Sequence, residues 1–389
     1  MNIYFVCSIE LGLNSGNSLQ VAEYAKNLVE LGNDVTLLAP QYGYRGTIEG
    51  ANIIKIPCGS SLYTSKIIYQ ILLPFVLAYK IMSKRPDCLL VKHSVVNLGF
   101  ILPAQISSIP FVLQVDADPI EEIELDSRHI PSAYLTSFER FQRYIFARAA
   151  KLIVVHPAVK RDLVSKYDLN PGKIKVIKLG VDTELFKPLA QKQSRLILNL
   201  DPSIKYLTFV GHVLPWHGVD YVVKAIPYLQ ELRDDFKVII VGDGPSLRDV
   251  MELAKERGVG DKVDFVGEVP REQVPYWISA SDVCLLPVKM VRSHPGDPIK
   301  MYEYMACGKP IIAANVEGYG DFVEKKGLGI GVDFTDSKQL AAAMDSLLKE
   351  DLSSYCENNR RVAVSNHQWG HTVEKVNGVL NRAVLRSAV

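Results

Sequence analysis

The sequence lacks a surplus of charge of either sign: 44 basic and 43 acidic side chains leave a formal net charge of +1. That excludes a general nucleic-acid binder, which would carry a basic excess. It also lacks any C-x-x-C pair among its six cysteines, Cys7, Cys58, Cys88, Cys284, Cys307 and Cys356. Four of them sit inside apolar strand or helix patterns, so reduced, buried thiols in a cytosolic protein are expected, not disulfides or zinc ligands. The opening MNIYFVCSIELG has no basic leader and no cleavage-like site, and it reads as a first strand. The longest nearly uncharged run, Ile67 to Tyr79, is too short to span a bilayer and contains Pro74. A soluble, cytoplasmic protein follows as the expectation, with peripheral contact at the inner face of the membrane left open. No fixed-period repeat or low-complexity segment is present.

What is present is alternation. The runs NIYFVC, DVTLLAP, CLLVK, FVLQVD, KLIVVH and KIKVIKLG are apolar and rich in β-formers. Helical spacing lies between several of them; Ser18 to Gly32 places Val21, Ala25, Leu28 and Val29 on one face. Residues 182–203, with two prolines and no clean period, read mostly as linker. The alternation then restarts with KYLTFVG, KVIIVG, KVDFVG, DVCLLP and PIIAAN. Helical patterns separate these runs, at Val219–Leu232, Ser246–Gly258, Glu272–Ser281 and Ile299–Gly308, and the chain is almost wholly helical after Asp336. Continuous apolar strands joined by helices mean parallel sheets covered on both faces. At 389 residues the chain is long for one core. Two doubly wound α/β domains are expected, residues 1–185 and 186–366, with a helix over about 367–389 packing back on the first. Ligands of such sheets bind at the carboxyl ends of strands, so a cleft between the two domains is the expected site.

One stretch carries chemistry: HPGDPIKMYEYMACGKPIIAANVEG, residues 294 to 318. It follows the strand DVCLLP, so its turn lies at a carboxyl end and feeds a helix N-terminus. Unpaired N–H groups and the helix dipole there favour an anion such as a diphosphate. Pro298 suits a first helical turn, where its missing N–H costs nothing. Lys300 in that same turn opposes the dipole, which suggests a bound anion. Glu303, one turn on, faces roughly the same way and could accept both hydroxyls of a ribose. The plainer alternative is an exposed Lys–Glu pair on a surface helix.

KMYEYMACGKPIIAAN resembles the hxxEAMACGxPVVAS segment of the retaining, nucleotide-sugar-dependent glycosyltransferases of family 4, which have the two-domain GT-B fold. The blocks SIELGLNSGNSLQVAEYAKNLVELGNDVTLLAP, KLIVVHPAVKRDLVSKYDLNPGKIKVIKLGVDTELFKP, FVGHVLPWHGVDYVVKAI and VIIVGDGP…DKVDFVGEVP resemble the family in the right order, over nearly the whole chain. The resemblance implies that Glu303 is the second glutamate of the E-x7-E motif and holds the donor ribose. It places Ile299 and Lys300 beside the diphosphate, and Val266, Gly267 and Glu268 around the base. Gly16 and Asn17 match the glycine loop over the donor phosphates; a simple strand-to-helix connection is the alternative.

The departures are specific. The first glutamate of E-x7-E falls on Pro295, with Asp297 as the nearest replacement. His212 and His217 in GHVLPWHG stand where the family has Arg and Lys on the diphosphate. Imidazole titrates near 6.5, and a neighbouring diphosphate should raise that value and keep the ring charged. Two turn histidines that cap the next helix are the alternative. Asp116 ends the strand FVLQV where many relatives have histidine, and it is the candidate catalytic residue, as an acceptor or sugar contact. Asp116-Ala117-Asp118 spells D-x-D, but a lone D-x-D is a weak metal signature, and no metal is expected. His156 reads as structural.

The stretch Ser65 to Arg85 has two readings: a helix docking on an anionic membrane, or an ordinary core-covering helix with snorkelling lysines, which the interrupting Pro74 favours. Arg140, Arg143 and Arg148 have two readings, an acceptor path or a solvated helix face, and the solvated face is the expected one. The expected activity is transfer of a hexose-type sugar from a UDP- or GDP-sugar, with retention, to a glycan, lipid-linked or polysaccharide acceptor. No metal and no nucleic acid would be involved. By resemblance the reaction is a front-face displacement assisted by the leaving phosphate. A catalytically silent sugar-nucleotide-binding or scaffold subunit and an NDP-sugar epimerase stay open.

Overall fold

Among the described residues, thirteen short strands, their ladders all parallel, form two separate sheets. The computed structural model describes residues 1–9, 11–12, 15–41, 47–58, 62–94, 97–126, 132–290 and 296–387. Two compact units emerge, Met1–Leu179 with Trp369–Val389, and Gly180–Gln368.

In the first unit the strands are β1 (Asn2–Val6), β2 (Asp34–Gln41), β3 (Asn52–Pro57), β4 (Cys88–Lys92), β5 (Phe111–Val115), β6 (Lys151–Val154) and β7 (Ile174–Val176). Their order is β3-β2-β1-β4-β5-β6-β7, with Val6 of β1 opposite both Leu38 and Val91. The connecting helices are α1 (Gly16–Glu30), α2 (Leu62–Ser83), α3 (Ile101–Ile106), α4 (Pro119–Asp126), α5 (Ser132–Arg148) and α6 (Pro157–Tyr167). Strands β4 and β5 are buried at every position, as continuous apolar runs in a doubly covered sheet must be. From β3 onward the chain steps in one direction across the sheet, and right-handed crossovers then place α2, α3, α5 and α6 on one face. There Tyr69, Leu73 and Leu77 pack with Ile101, Ala104, Ile145, Phe146, Leu163 and Tyr167 in a single core.

The second unit has β8 (Lys205–Val210), β9 (Phe236–Val241), β10 (Val263–Gly267), β11 (Val283–Leu286), β12 (Ile311–Ala314) and β13 (Gly329–Val332) in the order β10-β9-β8-β11-β12-β13. Its helices are α7 (Gln191–Ile197), α8 (Val219–Gln230), α9 (Leu247–Glu256), α10 (Val274–Ala280), α11 (Ile299–Ala306), α12 (Gly320–Lys325), α13 (Ser337–Lys349) and α14 (Ser353–Asn366). The strand order reverses between β8 and β11, which makes that the switch point of this sheet. The last helix, α15 (Trp369–Ser387), belongs to the first unit, where Trp369 meets Tyr24 of α1 edge-on at 6.1 Å and Asn377 accepts from Asn33.

The doubly wound α/β architecture is the one expected, and every strand named from the sequence is present. Residues 182–203 depart from the linker reading: α7 lies inside them and packs on α10. The reason is Arg195. This buried residue donates to the carbonyls of Ala280 and Pro202 and pairs with Asp282 at 2.7 Å, so a guanidinium and not an apolar stripe docks the helix. The region of Ile67 to Tyr79 also departs from expectation. It belongs to one helix of 22 residues that continues through Pro74, and its stretch Ser65–Ser83 is long and apolar enough to cross a bilayer by those measures alone.

Candidate active site

The site of the second unit is built from loops that leave the carboxyl ends of β8, β9, β10 and β11. Gly211 ends β8 at φ +134 and donates to the Val241 carbonyl, while Gly242 ends β9 at φ +135 and donates to the Gly267 carbonyl at 2.7 Å. The three turns cross so closely that a Cβ on Gly242 would meet the Gly211 carbonyl oxygen at 2.1 Å. Gly244 is equally confined by the Val213 backbone. Against this frame His212, Leu214, Asp243, Gly244, Pro245 and Glu268 line an open cavity of about 390 Å³. Val266 and Gly267 close β10 just before Glu268.

Helix α11 brings the remaining groups. Its first turn has no side-chain cap and no acid; the Met301 N–H bonds back to the Pro298 carbonyl at 3.0 Å. The helix is held through its last turn: the Tyr304 hydroxyl accepts from Val210 N–H at 2.8 Å, and Arg360 donates to the Ala306 carbonyl at 3.1 Å. Ile299 and Lys300 are its first two residues and keep part of their surface exposed. The Lys300 ammonium nonetheless lies 4.2 Å from the Phe209 ring centroid and against Gly211, whose missing Cβ would sit 2.6 Å from Nζ. Burial lowers the Lys300 pKa to about 7, and Glu303 opposes that shift. A lysine so enclosed is neutralised easily alone and recharged by an arriving anion.

Glu303 is only 6% exposed and is not a solvated partner of Lys300 on a helix surface. Arg271 Nη2 lies 2.9 Å from its Oε1, in ion-pair contact but with no hydrogen bond to it. The Arg271 guanidinium also covers the Phe186 ring at 4.8 Å. Asp297, just before the helix, accepts from the Tyr302 hydroxyl at 2.7 Å. Burial and then that carboxylate push the Tyr302 phenol well above its ordinary range, so the tyrosine stays protonated as the donor. Pro295, on which the first family glutamate falls, lies outside the described residues. His217 ends a 3-10 turn over Pro215–His217, and its Nδ1–H donates to the His212 carbonyl. A carbonyl can only accept, so this contact fixes the tautomer. Neither histidine caps α8, whose N-cap is Gly218, without a side-chain hydrogen bond.

The first unit holds the other candidates. Gly16 and Asn17 are exposed at the start of α1, whose cap is Ser15, accepting from Ser18 N–H at 3.2 Å. Asp116 follows β5 and pairs with Lys92, a residue at the end of β4 that is only 4% exposed; Gln114 donates to the same carboxylate at 2.9 Å. Lys92 also donates to Gln20 of α1, which gathers these groups at the β1/β4 switch point. Asp118 is bound by Lys166 and by the Tyr167 hydroxyl at 2.6 Å. The two acids of D-x-D are thus occupied by different lysines. His156 is fully buried and caps α6 by accepting from Ala158 N–H.

Sequence reasoning did not select Arg271, Asp243, Gly244, Pro245 or Lys92. VGDGP was noted only as a strand block, although a D-G-P run after an apolar strand marks a turn that needs open backbone angles. A lysine closing the apolar run CLLVK was the available signal for Lys92.

Two Rossmann-like sheets, each with its candidate site at the carboxyl ends of the strands, define the class as GT-B. Residues 15–185 match the model described as Glycosyltransferase Family 4, and residues 191–366 match the one described as Glycosyl transferases group 1. The chain belongs to this family of glycosyltransferases. A curated relative, the D-inositol 3-phosphate glycosyltransferase of Mycobacterium marinum, is 29% identical over 252 residues, covering 62% of this chain and 52% of the relative. The chain thus spans about half the length of the curated relatives it matches. Among solved structures, the sucrose-phosphate synthase of Thermosynechococcus elongatus aligns over 100% of both chains with a TM-score of 0.80 at 18% identity. Anabaena HepE, solved in complex with UDP and glucose, covers 98% of this chain and 99% of its own, with a TM-score of 0.75 at 16% identity.

Proposed function

We propose that this protein is a retaining glycosyltransferase that moves a hexose-type sugar from a UDP- or GDP-sugar to a glycan, lipid-linked or polysaccharide acceptor. The observation that carries the proposal is the uncapped start of α11 with the Lys300 ammonium enclosed beside it and Glu303 one turn further on. The diphosphate would lie on the helix N-terminus and Lys300, with His212 and His217 completing the positive charge. Charge develops on that diphosphate as the glycosidic bond breaks, so donors fixed there favour the transition state over the ground state. Glu303, held by Arg271, would accept the ribose hydroxyls, with Asp297 beside the helix start. Val266, Gly267 and Glu268 would frame the base.

On the acceptor side, Gly16, Asn17 and Asp116 are the proposed contacts. The leaving phosphate would take the acceptor proton. The reaction would need no divalent metal: Asp116 and Asp118 already carry ammonium partners, a set that repels a cation. The names of the relatives and the HepE ligands favour a nucleotide-sugar donor, without choosing among sugars. The place of work would be the cytoplasm, at the inner face of the membrane.

The test is a thermal-shift screen of the purified chain against UDP, GDP, ADP, TDP and CMP and their sugars, followed by donor hydrolysis on any hit. A ligand at a hundred times its dissociation constant adds about 2.7 kcal/mol of stability. Stabilisation by one nucleotide with slow sugar release is expected. Stabilisation without turnover, even with acceptor extracts, would replace the enzyme with a silent binding subunit. No stabilisation at all would overturn the reading of α11.

A further inference from the structure

Helix α2 is apolar on both sides, and among the described residues only one side is covered. Tyr69, Leu73, Leu77 and Ile81 face the sheet at 6% exposure or less. On the outer side Ile67, Ile71, Phe75, Tyr79 and Met82 are 57–87% exposed. An all-round apolar helix is ordinarily buried, and a soluble monomer rarely leaves such a contiguous strip open.

The strip continues onto two neighbours. Leu98 and Gly99 N–H groups, at the approach to α3, donate to Gln70 of α2, and Gln105 of α3 donates to the Tyr144 hydroxyl of α5 at 3.1 Å. On these helices Leu102 and Ile106 are 65% and 84% exposed, and Phe141 and Tyr144 stack in the open. Charge distinguishes the face further. Helix α2 and the two residues after it carry Lys66, Lys80, Lys84 and Arg85 and no acid. Helix α5 carries Arg140, Arg143 and Arg148 against Glu139 alone, with Arg148 lying over the Tyr144 ring at 4.3 Å.

We propose that this face of α2, α3 and α5 docks on an anionic lipid bilayer, with α2 lying in the interface plane. Apolar side chains set among basic ones match the acyl boundary and the negative headgroups of such a surface. A second copy of the chain fits less well, because a symmetric pairing would set the basic residues against one another. The helix lies on the membrane and does not cross it, since its inner face is committed to the core beside Phe100 and Phe111. This deepens the proposed placement at the inner face of the membrane and is independent of catalysis: vesicle binding without sugar transfer would leave it standing.

The experiment is vesicle flotation of the full chain. Binding to vesicles of equal parts phosphatidylglycerol and phosphatidylcholine is expected, with release by salt and none to phosphatidylcholine alone. The double variant Phe75→Asp, Tyr79→Asp should bind at least about tenfold more weakly, with an unchanged melting curve because both side chains are exposed. Lys80→Ala and Arg148→Ala should each weaken binding about fivefold, and they keep the test decisive if the double variant misfolds. Failure of the wild type to float with anionic vesicles would overturn the proposal. So would undiminished binding by the variants, or a double variant that merely turns a dimer into a monomer.

Discussion

The Arg271 guanidinium reaches the Glu303 carboxylate from the loop after β10, at the far edge of the sheet from β12 and β13, and stops 2.9 Å away. Glu303 is therefore an oriented acid in a nearly dry position. Glu303→Ala should raise the donor KM and also cost about 1–2 kcal/mol, because a half-buried guanidinium loses its counter-charge. Denaturant unfolding beside donor kinetics separates the two effects. Lost stability with intact donor kinetics in the folded fraction would make the residue purely structural.

Lys300 sets a pH dependence whose sign is fixed. Its folded pKa of about 7 lies below the ordinary lysine value of 10.5. Between those values the unfolded chain holds a proton that the folded chain has shed, so this group's destabilising effect is full below pH 7 and fades as the pH rises toward 10.5. Lys300→Met should thus stabilise the protein most below pH 7 and hardly at all near pH 10. Nucleotide binding should move the other way, weakening toward about tenfold per pH unit above 7 as the ammonium is lost. Calorimetric titration with UDP or GDP, wild type against Lys300→Met, would show it; a flat wild-type profile would remove Lys300 from the diphosphate.

His217 is half-buried on a turn and its ring bonds the His212 carbonyl, so its loss should cost no more than about 1 kcal/mol of stability. His217→Ala should still reduce kcat/KM for the donor by about tenfold or more if the ring faces the departing diphosphate. Unchanged donor kinetics would return it to a turn residue.

Asp116 has two separable roles. Lys92 is buried beside it, and Asp116→Asn would leave that ammonium with only neutral partners, costing up to about 3 kcal/mol. Loss of melting temperature with preserved turnover per folded molecule would mark a structural pair. Preserved stability with lost transfer would mark a contact to sugar or acceptor.

The fold was legible because burial on both faces of a parallel sheet forces continuous apolar strands, and helices must carry the chain back between them. Two strands escaped: β3 lies at a sheet edge and is only half-buried, and β13 reads GIGV, too short and glycine-rich to register as apolar. Its Gly329 is needed because a Cβ there would meet the Ile311 carbonyl oxygen at 1.9 Å, a constraint set by the neighbouring strand and invisible locally. The proposed anion site at the start of α11 could be read from Pro298, Lys300 and Glu303, since helix-end chemistry is local in sequence. Only the tertiary structure could pair Arg271 with Glu303, Lys300 with Gly211, or Lys92 with Asp116. Those pairs join residues brought together by strand order, and no spacing along the chain encodes them. Exposure was likewise decided in three dimensions. Composition made α2 apolar, but the sheet chose which of its faces to cover and left the other to whatever lies outside.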